Sequence, residues 1–172
     1  ISLLEKFQDP SQKRLIFEEF FLLQLALVFK KRQREIEERG KPFKTRGKII
    51  RKFLKLLQFD LTEAQKKVLR QIMSYLEQTE PMNLLLQGDV GSGKTVVALT
   101  ALITAVENDC QAALMAPTEL LAEQHFLSIS PFCNALGINI GLVTSTGTSK
   151  EKSLIRSNIE SGATQIIIGT HA

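Results

Sequence analysis

Short, uninterrupted apolar runs alternate with longer segments of helical periodicity from residue 82 onwards. An uninterrupted apolar run is typical of a strand that is buried on both faces, and its alternation with helices predicts a parallel sheet with helices on both sides. The pattern therefore predicts an α/β fold with about four parallel strands. The predicted strands are residues 83–87, 112–116, 138–144 and 165–169, and the helices between them are residues 94–108, 118–129 and 149–161.

The first part of the chain has helical periodicity alone. Asp9 and Pro10 open a helix of about thirty residues, because Asp is a good cap, Pro suits the first turn, and Gln12 stands at the capping-box position. Gly40 and the proline two residues later end it. Apolar residues occupy positions 15–29 and charges follow at 30–39, so we expect a buried first half and an exposed second half that bridges two modules.

Two shorter helices are predicted before the alternation begins. The segment "TRGKIIRKFLKLL" has Thr45 as its predicted cap, and its apolar residues lie on one helical face with the lysines and arginines on the other. The segment "LTEAQKKVLRQIMSYLEQ" forms the next helix, with Thr62 as its cap.

Composition narrows the class of protein. With 44% hydrophobic and 23% charged residues, the chain is typical of a globular domain. Cys110 and Cys133 have no metal-type spacing, which favours two reduced core thiols in a cytoplasmic protein. The apolar stretch at 20–29 is too short for a bilayer, which requires about 20 residues, and no signal peptide is visible. We therefore expect a cytoplasmic protein without a membrane partner.

Charge is distributed unevenly along the chain. Residues 1–58 carry a net charge of +8 and residues 59–172 carry −4, and the basic residues concentrate in 30–55, with 12 Lys/Arg against 3 Asp/Glu. Such a block indicates an anionic partner, nucleic acid first. The favoured interpretation is nevertheless a solvated helix face, because "KKRQREIEER" mixes both signs.

The sequence "GDVGSGKT" at 88–95 fits the phosphate-loop pattern G-x-x-x-x-G-K-[ST], between a predicted strand and a predicted helix. Backbone N–H groups of such a loop surround phosphate oxygens, and the helix directs its positive end at them. Lys94 would place a cation on the β/γ-phosphates, and the Thr95 hydroxyl would bind Mg²⁺. The predicted ligands are ATP and Mg²⁺, held by Gly88, Asp89, Val90, Gly91, Ser92, Gly93, Lys94 and Thr95.

Five stretches together resemble the superfamily 2 DNA translocases, and within them the RecG branch-migration helicases. The resemblance covers nearly the whole chain, and the stretches stand in the family's order: "RLIFEEFFLLQLAL", "FDLTEAQKKVL", "GDVGSGKTVVAL", "LMAPTELLAEQH" and "IIIGTHA". The resemblance implies a RecA-like phosphate-loop NTPase sheet and an ATP-dependent helicase that remodels branched DNA, such as forks and Holliday junctions, in recombination and repair. It also implies that residues 1–58 are a helical linker after a DNA-binding wedge domain, and that residues 59–172 begin the first motor lobe. We expect the protein to act as a monomer.

The resemblance also assigns individual residues. Phe59 and Gln65 fall in the family's adenine-recognition segment, where a ring can stack on the base and a carboxamide can pair with it. DNA-backbone contacts are implied where two strands leave the sheet, at Pro117 and Thr118 and at Gly169 and Thr170. Lys150 is assigned a further DNA-backbone contact, although this chain departs from the family there and has Ser145 near the position where the family usually has glycine.

The chain begins with Ile1 and ends at Ala172, so we expect a piece of a longer protein. An apolar strand followed by Asp-Glu, the family's Mg²⁺-binding pair, does not occur in its sequence, and the arginine that completes catalysis belongs to a second motor lobe. Hydrolysis requires both, so we expect this chain by itself to bind nucleotide without turning it over.

Three alternatives remain at this stage. The motor of a transcription-repair coupling translocase shares "GDVG" and "GKT" but usually has an aromatic in place of Ser92 and threonine in place of Glu119. A phosphate-loop kinase or transporter ATPase has no role for "APTELLAEQH". A non-hydrolysing module that binds DNA or nucleotide is the third.

Overall fold

In a computed structural model of the chain, residues 9–37, 39–145 and 149–171 are described, without the side chains of residues 31, 34–37 and 149–151. The elements in chain order are α1 (Pro10–Glu37), α2 (Lys48–Leu56), α3 (Glu63–Leu76), α4 (Lys94–Glu107), β1 (Ala112–Met115), α5 (Glu119–Leu136), β2 (Ile140–Val143), α6 (Ser149–Glu160) and β3 (Ile166–Gly169).

The three strands form a parallel sheet in the order β1-β3-β2. Its last register position aligns Met115, Gly169 and Val143, so the three strands end at a common edge. Parallel neighbours need crossover connections, and α5 and α6 supply them. The predicted α/β class and parallel sheet are confirmed.

The predicted first strand is not formed, so the described sheet has three strands where about four were predicted. Residues 83–87 have no regular secondary structure. Leu86 packs beside Leu69, but Leu85 is 87% exposed. A strand requires a hydrogen-bonded neighbour as well as an apolar sequence, and residues 83–87 pair with none of the three described strands.

Helix α5 is longer than predicted, and it runs through Pro131 to Leu136. Proline lacks one backbone N–H, and the helix nevertheless continues because Ile129 and Cys133 on either side are buried in the core. It ends at Gly137, whose φ of 71° is left-handed and therefore suits glycine.

The main hydrophobic core lies between the sheet and helices α2, α4 and α5. Its fully buried side chains include Phe53 from α2, Ile103 from α4, and Ile166 and Ile168 from β3. Phe53 packs edge-on against Phe132 at 5.6 Å between ring centroids. A smaller cluster joins α3 to the other side of α4.

The chain divides into two compact units, residues 1–41 and 42–172. Helix α2 therefore belongs with the sheet, while the division into functional domains at residue 58 stays a prediction. In the first unit, the prediction that the apolar half of α1 is buried is wrong for the described residues, because Phe17 is 59% exposed and Phe29 is 73% exposed. A helix that is apolar on all sides needs a partner that surrounds it, and α1 is the only described element of that unit.

Both cysteines are free thiols, as predicted, but Cys110 is only half-buried, so the predicted core position is wrong for Cys110. Cys133 lies in the core, and burial raises the pKa of its thiol to about 11. Within the described ranges, no helix is both long enough and apolar enough to cross a bilayer.

The N-terminus of α2 is held by a distant carboxylate and not by the predicted cap. Thr45 is buried and its hydroxyl donates to the carboxylate of Glu77. The Glu107 carboxylate, at the end of α4, accepts from the N–H groups of Ile49 and Ile50 at 2.7 and 3.2 Å. These two N–H groups have no partner within the helix, so Glu107 replaces a local cap. The predicted cap of α3, in contrast, is confirmed: Thr62 and Gln65 form a complete capping box.

Replacing Glu107 with alanine should therefore lower the free energy of unfolding by about 1–2 kcal/mol, the usual cost of removing an N-cap. Urea titration followed by circular dichroism measures it. Glu80→Ala, in an exposed turn, is the matched control and should change stability far less. Equal losses in the two variants would contradict the capping role.

Candidate functional site

The loop at 88–95 is shaped by glycines in left-handed backbone conformations. Gly91 and Gly93 have φ of 80° and 78°, values that strain any other L-residue. A Cβ on Gly93 would lie 2.3 Å from Nε2 of Gln65. One on Gly88 would lie 2.9 Å from Oγ of Ser92. The backbone therefore requires glycine at Gly91 and Gly93, whereas a small movement of the Ser92 hydroxyl would accommodate a Cβ on Gly88. Gly93 leads directly into α4.

Lys94 is folded back over its own loop. Its Nζ donates to the backbone oxygens of Gly88 and Asp89, at 2.7 and 2.6 Å. An ammonium group has three donors, so one remains after these two bonds. The cation therefore lies against its own loop, which leads into the N-terminus of α4, and an anion is favoured at such a helix end.

Thr95 follows Lys94 in the first turn of α4 and is half-buried, whereas Val90 at the tip of the loop is fully exposed. A threonine hydroxyl is a hard oxygen donor of the kind that Mg²⁺ prefers. The residues present therefore fit a nucleotide phosphate with its Mg²⁺.

Gln65 is joined to the loop by its side chain. Nε2 of Gln65 donates to the backbone oxygen of Ser92 at 2.9 Å, and Oε1 accepts from the N–H of Thr62 at 2.9 Å. A carboxamide has two donors and two acceptor positions, so one of each remains. The structure thus brings Gln65 and the loop together. The other adenine-segment residue, Phe59, has a ring that is 52% exposed and hence available for stacking.

The predicted DNA-contact residues meet at the carboxyl edge of the sheet. Gly169 ends the central strand β3, and its backbone oxygen accepts from the N–H of Ala116, just before Pro117. A Cβ on Gly169 would lie 2.7 Å from the backbone oxygen of Val143. Adjacent strands are about 4.8 Å apart, so the residues that follow β1 and β3, Pro117, Thr118 and Thr170, are close neighbours. Thr118 caps α5 by accepting from the N–H of Leu121 at 3.3 Å.

Glu119 belongs to this edge, although no sequence pattern assigned it to a site. Its carboxylate accepts from the backbone N–H of Ser145 at 2.6 Å and so joins the start of α5 to the end of β2. Hydrogen bonds from the Ser145 side chain and backbone, with a smaller contribution from Lys152, hold the pKa of the Glu119 carboxyl below its ordinary value of 4.5. An acidic residue after a cap is common, so the sequence held no signal for this contact.

Lys150 lies in α6, but its side chain is outside the described part of the chain. Its assignment as a DNA contact stays a prediction. Within the described residues, no group of three or more His, Cys, Asp or Glu side chains could hold a metal ion. The assignment of Thr95 as a Mg²⁺ ligand likewise stays a prediction.

Comparison with known families matches the description "DEAD/DEAH box helicase" to residues 62–172, from the cap of α3 to the end of the chain. The chain belongs to the DEAD/DEAH box helicase family. The phosphate loop, Gln65 and the carboxyl edge of the sheet all lie within the matched residues.

The resemblance to RecG helicases is also confirmed. The chain is 38% identical over 172 residues to the ATP-dependent DNA helicase RecG of Aquifex aeolicus, which covers all of this chain and 22% of that protein. It is 42% identical over 165 residues to the enzyme of the same name from Thermotoga maritima, covering 95% of this chain and 21% of that one. The chain thus spans about a fifth of the length of these relatives.

Comparison with solved structures also supports the resemblance to RecG helicases. A RecG bound to a three-way DNA junction superposes with a TM-score of 0.81 at 41% identity, over 92% of this chain and 22% of that one. A hypothetical ATP-dependent RNA helicase from Sulfolobus tokodaii superposes with a TM-score of 0.53 at 19% identity, over 72% of this chain and 34% of that one, and this likeness concerns the fold alone.

Acidification should break the contact between Glu119 and Ser145. Because the folded-state pKa is below 4.5, the contact stabilises the folded protein fully above pH 4.5 and this stabilisation disappears as the pH falls through the folded-state pKa. The amide shift of Ser145, followed by NMR, should titrate with an apparent pKa below 4.5. Glu119→Gln should abolish this titration, and Glu123→Gln, one turn further along α5, should leave it unchanged. A Ser145 amide that titrates in both variants would contradict the assignment.

Proposed function

We propose that this chain is the nucleotide-binding part of an ATP-dependent DNA helicase that remodels branched DNA, such as forks and Holliday junctions, in recombination and repair. The observation that carries the proposal is the hydrogen bond from Gln65 to Ser92, because it joins a side chain that is able to pair with a base to a complete phosphate loop. A phosphate loop by itself occurs in many kinds of NTPase, whereas this pairing favours a helicase motor.

In the proposed nucleotide site, each residue has a separate task. Lys94 exchanges the backbone oxygens of Gly88 and Asp89 for phosphate oxygens, which it can do because an ammonium binds phosphate as a point charge. Thr95 holds Mg²⁺, which supplies charge neutralisation of the phosphates when bound. Gln65 uses its remaining donor and acceptor for the edge of adenine, and Phe59 stacks on the base.

In the proposed DNA site, the threonines at the carboxyl edge of the sheet contact the backbone of one strand. Thr118 lies at the N-terminus of α5 as its cap, and Thr170 follows the central strand β3. Ligands in open α/β sheets bind at this edge, and helix N-termini are frequent phosphate contacts. The similar RecG structure holds a three-way DNA junction, and this supports branched DNA as the partner.

The whole protein, on this proposal, is a monomeric enzyme, and this chain alone does not hydrolyse ATP. Its sequence contains no Asp-Glu pair, and phosphoryl transfer requires a carboxylate that holds Mg²⁺, a residue that orients water, and usually an arginine that stabilises the transition state.

Lys94→Ala should weaken binding of a fluorescent Mg-ADP by roughly 10- to 100-fold, because a hydrogen bond to a charged group contributes about 1.5–3 kcal/mol. Lys67→Ala, which removes an exposed lysine from α3, is the matched control and should bind like wild type. Gln65→Ala should reduce the preference for adenine over guanine nucleotide. Equal affinity in wild type and Lys94→Ala would refute the assignment of Lys94.

Phosphate release from the purified chain, with saturating ATP and forked DNA, should stay far below the rate of about 1 s⁻¹ that marks the lower range of working phosphoryl-transfer enzymes. Nucleotide binding, measured on the same preparation, shows that the site is folded. Turnover at about 1 s⁻¹ or faster would show that a catalytic carboxylate is present among these residues after all.

A further inference from the structure

Helix α2 carries four cations along one exposed line, which we call the α2 cation stripe: Lys48, Arg51, Lys52 and Lys55. They stand at positions i, i+3, i+4 and i+7, so they share one face over about 10 Å of helix. The opposite face, with Ile50 and Phe53, is buried against the main core. The stripe is therefore exposed to solvent on a helix whose opposite face is packed against the core.

The cations of the stripe form no ion pair within the described part of the chain. No acidic residue occurs from 40 to 59. Two carboxylates contact the segment around α2: Glu107 accepts from the N-terminus of the helix, and Glu77 accepts from Thr45. Among described residues, no ion pair joins the stripe to a carboxylate, whereas Lys66 on α3 is paired with Glu63.

This arrangement opposes the stability of the helix that carries it. Like charges at spacings of three and four residues repel one another, and Lys48 in the first turn also faces the positive end of the helix dipole. The burial of Phe53 and the Glu107 contact hold the helix in place against this repulsion. A bound polyanion would relieve it.

We propose that the α2 cation stripe binds the phosphate backbone of DNA, as a contact surface separate from the phosphate loop and from the carboxyl edge of the sheet. Duplex DNA carries one charge per about 1.7 Å of its axis, so a line of cations about 10 Å long faces several phosphates. A membrane surface fits less well, because an amphipathic helix binds lipid through its apolar face, and that face of α2 is buried in the core. The proposal goes beyond the proposed function, and nucleotide binding does not depend on it.

The test is the salt dependence of DNA binding by the whole 172-residue chain, measured by fluorescence anisotropy with a labelled duplex between about 50 and 200 mM salt. The stripe variant is Lys48→Gln/Lys52→Gln/Lys55→Gln. It should bind more weakly than wild type, and its log–log salt slope should be shallower by about 0.9 for each phosphate that the variant no longer neutralises. Lys48→Arg/Lys52→Arg/Lys55→Arg should keep the wild-type slope, because it keeps the charges.

The matched control, Lys67→Gln/Arg70→Gln/Arg156→Gln, removes the same charge from exposed positions on α3 and α6 and should leave the slope near that of wild type. Binding of fluorescent ADP must be unchanged in the stripe variant, which shows that the fold and the nucleotide site are intact.

Equal effects of the stripe and control variants would overturn the proposal in favour of general charge attraction. An unchanged salt slope in the stripe variant would show that these cations form a solvated face of α2 and do not contact DNA. Weaker binding to vesicles of anionic lipid, with DNA binding intact, would reassign the stripe to a membrane.

Discussion

Helix α4 is the element on which the rest of the described unit of residues 42–172 depends, because it is apolar on more than one side and joins both hydrophobic clusters. Leu99, Ile103 and Val106 lie in the main core, and Val97 lies in the smaller cluster with α3. A helix with a single apolar stripe packs against one layer, but a helix buried on two sides fixes the elements on either side of it relative to each other. The phosphate loop leads into the N-terminus of this helix, so the packing of α4 also fixes the position of the loop.

The C-terminal end of α4 is equally important, since polar groups there organise the segment before α3. Glu107 accepts from the N-terminus of α2, and the Asn108 side chain bonds to both the N–H and the oxygen of Lys44, at 2.7 and 3.0 Å. These bonds satisfy backbone groups that would otherwise be costly to bury. One helix therefore connects the nucleotide end of the lobe to the surface that carries the α2 cation stripe.

The phosphate loop and the α2 cation stripe are two kinds of surface suited to anions, and they differ in physical origin. The phosphate loop relies on backbone N–H groups, left-handed glycines and one lysine that is held by its own loop. The stripe relies on side-chain charge alone. A backbone site is rigid and selects the shape of its ligand, whereas a line of lysines follows charge and responds strongly to salt.

The features that the sequence determined by itself are local ones. The phosphate loop, the capping box of Thr62 and Gln65, and the alternation of strands and helices all depend on residues that are near one another along the chain, so their chemistry can be read in order. Together with the five family-like stretches, they were enough for the fold class and the family. The assignments of single residues to nucleotide and DNA remain predictions of the same local kind.

The tertiary structure decided every feature that joins distant segments. Residues 83–87 were apolar enough for a strand but have no neighbouring strand among the described residues. Thr45 has the chemistry of a cap, yet Glu107, far along the chain, does the capping. The contacts from Gln65 to Ser92 and from Glu119 to Ser145 likewise join residues that are remote in sequence. Hydrogen bonds and strand pairing are formed by whichever groups the folded core brings within about 3 Å, and that choice is made by packing, which no local pattern contains.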